Sequence, residues 1–397
     1  MGSDTPTITI KTKTRPMKIS RILYLIIMVC LASCGNKRNN ATADGAVRTP
    51  SDTIHTIAPK HAKGFEVKYT ESGMVLLDIH DPENNEKESF HYALCPASHT
   101  AEVPQGYTRI NIPVKSVVCM TSLQLSNFIK LGATNRVVGI TNTRHLHNAT
   151  INQQLKEGKT HKIGIEGNFD NEVIMSLNPE LILISPFKRG GYDAIRNTGV
   201  TLMPHLGYKE LTPLGQAEWI KVMGLLIGEE ASANKIYAGI EKRYNELKAM
   251  VDTVTVRPTV FSGEMRGGNW YAVGGKSFLA QMFRDAGAEY FLKDNTESGG
   301  VTLDYETVYS QAVHARYWRI VNSYAGEFDY NILEAQDKRY TDFDAWKNHG
   351  VIYCNMKQVP FYESMPVEPE VILADLIHVF HPEILPQHKP IYYRLLK

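Results

Sequence analysis

Four cations stand in otherwise weakly charged loops: Arg144, Lys188, Arg189 and Arg266. Together with the loop aromatics Tyr192, Trp270 and Tyr324, they would suit an anionic, partly aromatic small molecule, because a guanidinium pairs with carboxylates in a planar fork and stacks on rings. His145 and His147, flanking Leu146, could offer an axial nitrogen to iron or cobalt, but no set of further His or carboxylate ligands accompanies them as a zinc or manganese site would need. No metal site and no catalytic residue is therefore assigned. Gly274-Gly275-Lys276-Ser277 looks like the end of a phosphate loop, yet Trp270 stands where that motif needs its first glycine. A nucleophile elbow and an HExxH helix are both missing from the sequence. Glu264, Asp304 and Glu363 are the carboxylates that could converge for sugar hydrolysis, which leaves an extracytoplasmic enzyme as the least favoured reading.

The start of the chain explains where such a molecule would be met. Lys11, Lys13, Arg15, Lys18 and Arg21 precede the apolar run Ile22 to Leu31, which has about half of the roughly 20 residues that a membrane-spanning helix needs. The run closes on Leu31-Ala32-Ser33-Cys34, and this ending resembles a bacterial lipobox, with cleavage before Cys34 leaving its thiol to carry lipid. Met17 serves as well as Met1 as a start, since the charged flank survives from there. Residues 1–33 thus read as a lipoprotein signal peptide and residues 34–62 as a flexible tether, because that segment lacks the large apolar side chains needed to offset its ordering entropy. The 43 Lys and Arg are balanced by 42 Asp and Glu, for a net charge of +1 spread along the chain, so there is no footprint for nucleic acid. Cys95, Cys119 and Cys354 stand in no metal-binding spacing; one disulfide can form outside the cytoplasm, with its pairing left open.

The elements that must position these residues change character along the chain. In residues 63–113 the apolar side chains alternate (Phe65, Val67, Tyr69; Val75, Leu77, Ile79; Phe90, Tyr92, Leu94), which predicts a small antiparallel β meander joined to the first lobe. Residues 114–209 then alternate buried strands with helices, among them strands over 114–120, 136–141 and 181–185 and a helix over 171–177. Such alternation implies an α/β lobe with a mainly parallel sheet covered by helices. Over residues 210–254 the apolar spacing becomes helical and predicts one long bridge with a break near Gly228. Strand and helix alternate again in residues 255–397, a second α/β lobe. Asp170-Asn171-Glu172 and Asp304-Tyr305-Glu306 each set a capping residue ahead of a first-turn glutamate and a following buried strand. Two lobes presenting one acidic side chain at an equivalent corner suggest a partner that touches both.

From about Val114 to Pro382 the chain resembles the substrate-binding proteins of ABC importers for cobalamin, haem and ferric siderophores. The resemblance rests on Leu131-Gly132-Ala133 through Val137-Val138-Gly139-Ile140, on the run Glu172 to Leu183, and on Ser277-Phe278-Leu279 through Ala286-Gly287-Ala288. It implies two α/β lobes on a backbone helix, with the ligand between them at the loops that follow the strands. It also implies that Glu172 and Glu306 dock into the permease subunits of an importer driven by its ATPase. The plainer role of those glutamates is to complement a helix dipole, worth about 0.3 to 1 kcal/mol. On this reading the chain needs no cofactor of its own, is held by lipid on the extracytoplasmic face of the cell envelope, and hands over a metal chelate. The loop cations favour a ferric siderophore or haem; cobalamin is the alternative.

Overall fold

Alternating apolar residues zip the N-terminal region into a sheet. The computed structural model describes residues 53–84, 89–100, 102–141, 144–165, 167–185, 192–196 and 198–397. In it the strands Thr53–Ile57, Phe65–Thr70, Val75–Ile79 and Phe90–Pro96 pair antiparallel in sequence order. The fifth strand, Thr108–Ile112, lies parallel to Phe90–Pro96, because the chain between them crosses back before it re-enters the sheet. One face of the sheet (Phe65, Val67, Leu77, Ile79, Tyr92, Leu94) shares a core with Val117, Phe128 and Leu183 of the next region. The sheet therefore extends the first lobe rather than standing apart from it.

That lobe is a five-stranded parallel sheet in the order Thr201–Pro204, Leu181–Ile184, Val117–Cys119, Val137–Ile140, His161–Lys162. Its inner strand Leu181–Ile184 is apolar and buried throughout, as a parallel strand covered on both faces must be. The second lobe repeats the scheme with Glu289–Tyr290, Thr259–Ser262, Tyr317–Asn322 and Val351–Asn355 in parallel. A short antiparallel strand, Arg394–Leu395, closes the edge against Val351–Asn355. Beside it stands a three-stranded antiparallel sheet of Glu264–Arg266, Asn269–Val273 and Gly300–Leu303, which the placement of Arg266 and Trp270 in a loop did not foresee.

The bridge runs as three helical pieces, Pro213–Glu218, Ile220–Ile227 and Glu230–Met250. Thr212 starts the first by accepting the Gly215 amide, with Pro213 in the first turn where no N–H is needed. The break falls at Gly228, whose φ of 77° is open to glycine at no steric cost. At Gly224 a Cβ would lie 2.4 Å from the Ala233 methyl, so the second and third pieces cross in backbone contact there. Leu214, Ala217, Ile220, Tyr237 and Leu247 feed the second lobe's core, while Trp219, Val222, Met223 and Leu226 feed the first's. Among the described residues no helix is long and apolar enough to cross a membrane.

Two buried carboxylates fasten the N-terminal segment to this bridge. Glu218 accepts the amides of Lys60, His61 and Ala62 at 3.0, 2.7 and 3.0 Å, and pairs with Lys221 at 2.6 Å. Glu210 accepts the amides of Lys63 and Gly64 and the Trp219 indole N–H at 2.9 Å. Burial pushes the Glu218 carboxyl up, but Lys221 and the three amides outweigh it and hold the group below the ordinary value. At Glu210 burial wins over its donors, and the group titrates above the ordinary value.

Candidate functional site

Between the lobes lies a cavity of about 410 Å³. Leu123 and the segment Tyr208–Leu211 of the first lobe form one wall; Phe278, Leu279, Phe361, Met365 and Arg319 of the second form the other. Leu123 lies in the first turn of the helix Ser122–Lys130, which Thr121 and Gln124 begin as a reciprocal capping box, and this helix packs on Phe361–Ser364 across the cleft. Arg319 lies on strand Tyr317–Asn322 between the wholly buried Trp318 and Ile320, and its side chain turns to the opposite, half-buried face.

The Arg319 guanidinium donates from Nε and Nη2 to the Tyr393 hydroxyl at 3.1 and 2.6 Å and lies 5.3 Å from the centre of that ring. Burial pushes the Tyr393 phenol up to about 12 despite the neighbouring cation, so it stays neutral and accepts. Tyr393 is in turn fixed by Asp375, which is fully buried on the helix Pro369–Phe380. Asp375 accepts the amides of Ile391, Tyr392 and Tyr393 at 3.1, 2.6 and 3.0 Å and the His388 Nε2–H at 2.6 Å.

A second contact clasps the lobes. Glu363, 3% exposed, accepts the His147 amide at 3.0 Å, just ahead of Asn148, which caps the helix Ala149–Lys156. His147 Nε2 donates to the Met356 carbonyl at 3.1 Å, and His145 Nε2 lies 3.2 Å from Ser323 Oγ. Burial, and the neighbouring Arg144, His147 and Lys357, lower the His145 pKa. Burial raises that of Glu363, which the His147 and Asn148 amides offset only in part. The folded protein then binds more protons at Glu363 than the unfolded chain, so this group's contribution to stability falls as pH rises above 4.5. Glu363→Gln keeps an acceptor for the amide but cannot titrate. Urea unfolding between about pH 4 and 7 is expected to show the stability of wild type falling relative to the variant as pH rises; a pH-independent difference would contradict this assignment.

The structure separates the residues that the sequence grouped. Trp270 is wholly buried: its indole N–H donates to the Ser262 carbonyl at 2.9 Å, and its ring packs with Phe261, Trp318 and Phe343 in the second lobe's core. It is turned into that core because residues 264–273 form a hairpin, not a loop. Arg266, at the exposed tip of that hairpin, is held by Glu264 at 2.6 Å. Tyr192 is buried, stacked on Phe169, with its hydroxyl accepting the Ser185 amide. Tyr324 packs on Phe328, while Arg144 is exposed and His145 joins the clasp. None of these six lines the cavity; Lys188, Arg189 and Cys34 lie outside the described residues. Among the described residues no cluster of three His, Cys, Asp or Glu side chains is placed to hold a metal, and Cys95, Cys119 and Cys354 are buried free thiols. Glu264, Asp304 and Glu363 serve a hairpin ion pair, a helix cap and the clasp respectively. Glu172 and Glu306 are both exposed in first helical turns, behind the caps Asp170 and Asp304.

The family model described as periplasmic binding protein matches residues 117–357. An uncharacterized lipoprotein of Methanocaldococcus jannaschii is 23% identical over 397 residues, covering 91% of this chain and 92% of its own length. A periplasmic heme binding protein from Pseudomonas aeruginosa superposes with a TM-score of 0.56 at 16% identity, over 72% of this chain and 98% of that one. A structure from an ABC-type Fe3+-hydroxamate transport system of Saccharomonospora viridis superposes with a TM-score of 0.53 at 17% identity, over 68% of this chain and 94% of that one. Two α/β lobes on a helical bridge, a cavity between them and a family match across both lobes agree: the chain belongs to the periplasmic binding protein family.

Proposed function

We propose that this protein is the substrate-binding lipoprotein of an ABC importer, capturing an iron chelate, either a ferric siderophore or haem, between its lobes and delivering it to the permease. The observation that carries the reading is the interlobe cavity: apolar and aromatic side chains from both lobes surround one guanidinium held in a fixed pose. That is the composition of a small-molecule site, where apolar walls supply affinity and a few placed polar groups set orientation. The structural likenesses to a heme binding protein and to a Fe3+-hydroxamate transport component support the ligand class. Family membership and a relative named as a lipoprotein point to an extracytoplasmic location, with Cys34 as the lipid-bearing residue. Glu172 and Glu306 would present the loaded protein to the permease.

Cobalamin is the second reading, since an apolar cavity with few charges also suits a ligand recognised by packing and neutral hydrogen bonds. The test is a tryptophan-fluorescence titration of the full chain in detergent against ferric siderophores, haem and cobalamin, with zinc and manganese as controls. Trp318 and Trp270 lie one layer behind Arg319, so occupancy should change their emission. Saturable binding of one chelate at micromolar concentration or tighter is expected; a response to bare zinc or manganese alone would overturn the chelate reading, and silence to every ligand would overturn the binding reading.

A further inference from the structure

Charges of both signs border the interlobe cavity, and all but one are met within the protein. On the first-lobe wall Lys209 Nζ lies 2.6 Å from the buried Asp81 and 3.3 Å from Glu83. Glu210 is spent on the amides of Lys63 and Gly64 and on the Trp219 indole. On the second-lobe wall Arg319 faces only the neutral Tyr393 hydroxyl; among the described residues no carboxylate lies within ion-pair distance of it, and its Nη1 has no protein acceptor. The rest of the lining is mainly apolar, with Leu123, Phe278, Leu279, Met282, Phe361 and Met365 prominent, and its uncharged polar groups include Ser277, Ser298 and Gln216, each hydrogen-bonded within the protein.

We infer that the cavity selects a largely apolar ligand through one carboxylate group seated on Arg319, and that it disfavours compact polyanions. The inference rests on the cavity being the ligand site. A guanidinium held from behind at Nε and Nη2 presents its remaining N–H groups as a planar donor edge that matches one carboxylate. A second or third negative charge on a compact ligand would meet apolar side chains, or the carboxylates of Glu83 and Glu210, and would lose hydration without replacement. The pose of Arg319 depends on Tyr393, and that of Tyr393 on Asp375, so Tyr393 is a positioning residue for the anion seat.

The test uses the full chain in detergent and four probes: haem, its dimethyl ester, cyanocobalamin and a trianionic ferric tris-catecholate. Haem is expected to bind the wild type tightest, with the ester, which lacks the free carboxylates, about 10- to 100-fold weaker. Arg319→Gln is expected to weaken haem by the same factor and leave the ester within about twofold, a pattern that general misfolding cannot produce. Tyr393→Phe, which keeps the ring and removes only the hydroxyl, should narrow the haem-to-ester ratio in the same direction. If Arg319→Gln moves haem and ester equally, or moves neither, the inference is wrong. A preference for the tris-catecholate or for cyanocobalamin overturns it while leaving the cavity reading intact; no saturable binding of any probe by the wild type removes both.

Discussion

Asp375→Ala is expected to lower the unfolding free energy by about 3 to 5 kcal/mol, the range for removing one partner from a buried, charge-assisted network. The carboxylate is wholly buried and is the common acceptor for three successive backbone amides and one imidazole. Truncation takes the acceptor at once from the buried amides of Tyr392 and Tyr393 and from the part-buried amide of Ile391. Asp375→Asn keeps one acceptor oxygen but turns a donor toward the remaining amides, and it is expected to cost nearly as much. The loss is bounded by an alternative, detachment of the C-terminal segment, which would expose Tyr392, Tyr393 and Leu396. Urea unfolding gives the free energy, and limited proteolysis distinguishes the two routes: detachment makes the last ten or so residues cleavable well below the unfolding midpoint. A change under about 1 kcal/mol would show that water takes over as donor acceptor and that the segment is not held by Asp375.

Reversing both corner charges, Glu172→Lys with Glu306→Lys, is expected to cut importer-dependent uptake at least about a hundredfold while leaving ligand affinity within twofold. If the proposed docking holds, each replacement sets like charge against a basic permease pocket, and such juxtaposition costs several kcal/mol. The helices themselves should survive, because Asp170 and Asp304, not the glutamates, make the N-cap bonds to Val173 and Thr307 at 3.1 and 2.6 Å. Lost helix-dipole complementarity amounts to about 0.3 to 1 kcal/mol per site. Uptake by cells carrying the double variant, compared with the dissociation constant of the purified protein, decides the matter. Normal uptake would reduce both glutamates to helix-end charges.

The two-lobed architecture was legible because its signals are local. Leu181–Ile184 and Thr259–Ser262 are short apolar runs bounded by polar turns, and the bridge declares itself by apolar residues at helical spacing. Gly228 marked the break in that bridge. The discontinuity at Trp219 carried no mark, since it follows from the indole wedging between Glu210, Phe65 and His205, contacts distant in sequence. The site was harder to read. Looking to the segments that follow strands led to Arg266 and Trp270, but Gly267 and Gly268, with φ of 56° and 87°, fold a tight hairpin, and its alternation turns Trp270 inward. The signal was there: two glycines between alternating residues. Arg319 went unnoticed inside the apolar strand Tyr317–Asn322, although a lone arginine between residues buried on the other face has to find a polar or open side. Nothing near Tyr393 announces its role, which exists only once Asp375 has drawn the C-terminal segment across the sheet edge.

The clamp on residues 60–64 also sets a load path. Force drawn through the chain ahead of Lys60 meets the strand Thr53–Ile57 first; once that edge strand is peeled from Phe65–Thr70 the load reaches Glu218 and Glu210, and His61 adds a further fastening to Glu241 at 2.6 Å. All three carboxylates belong to the bridge or its entry, and both lobes are packed on that bridge. Tension there is shared by the two lobes instead of levering one away from the other. Past that edge strand, a pull is carried into the bridge and does not itself open the cleft.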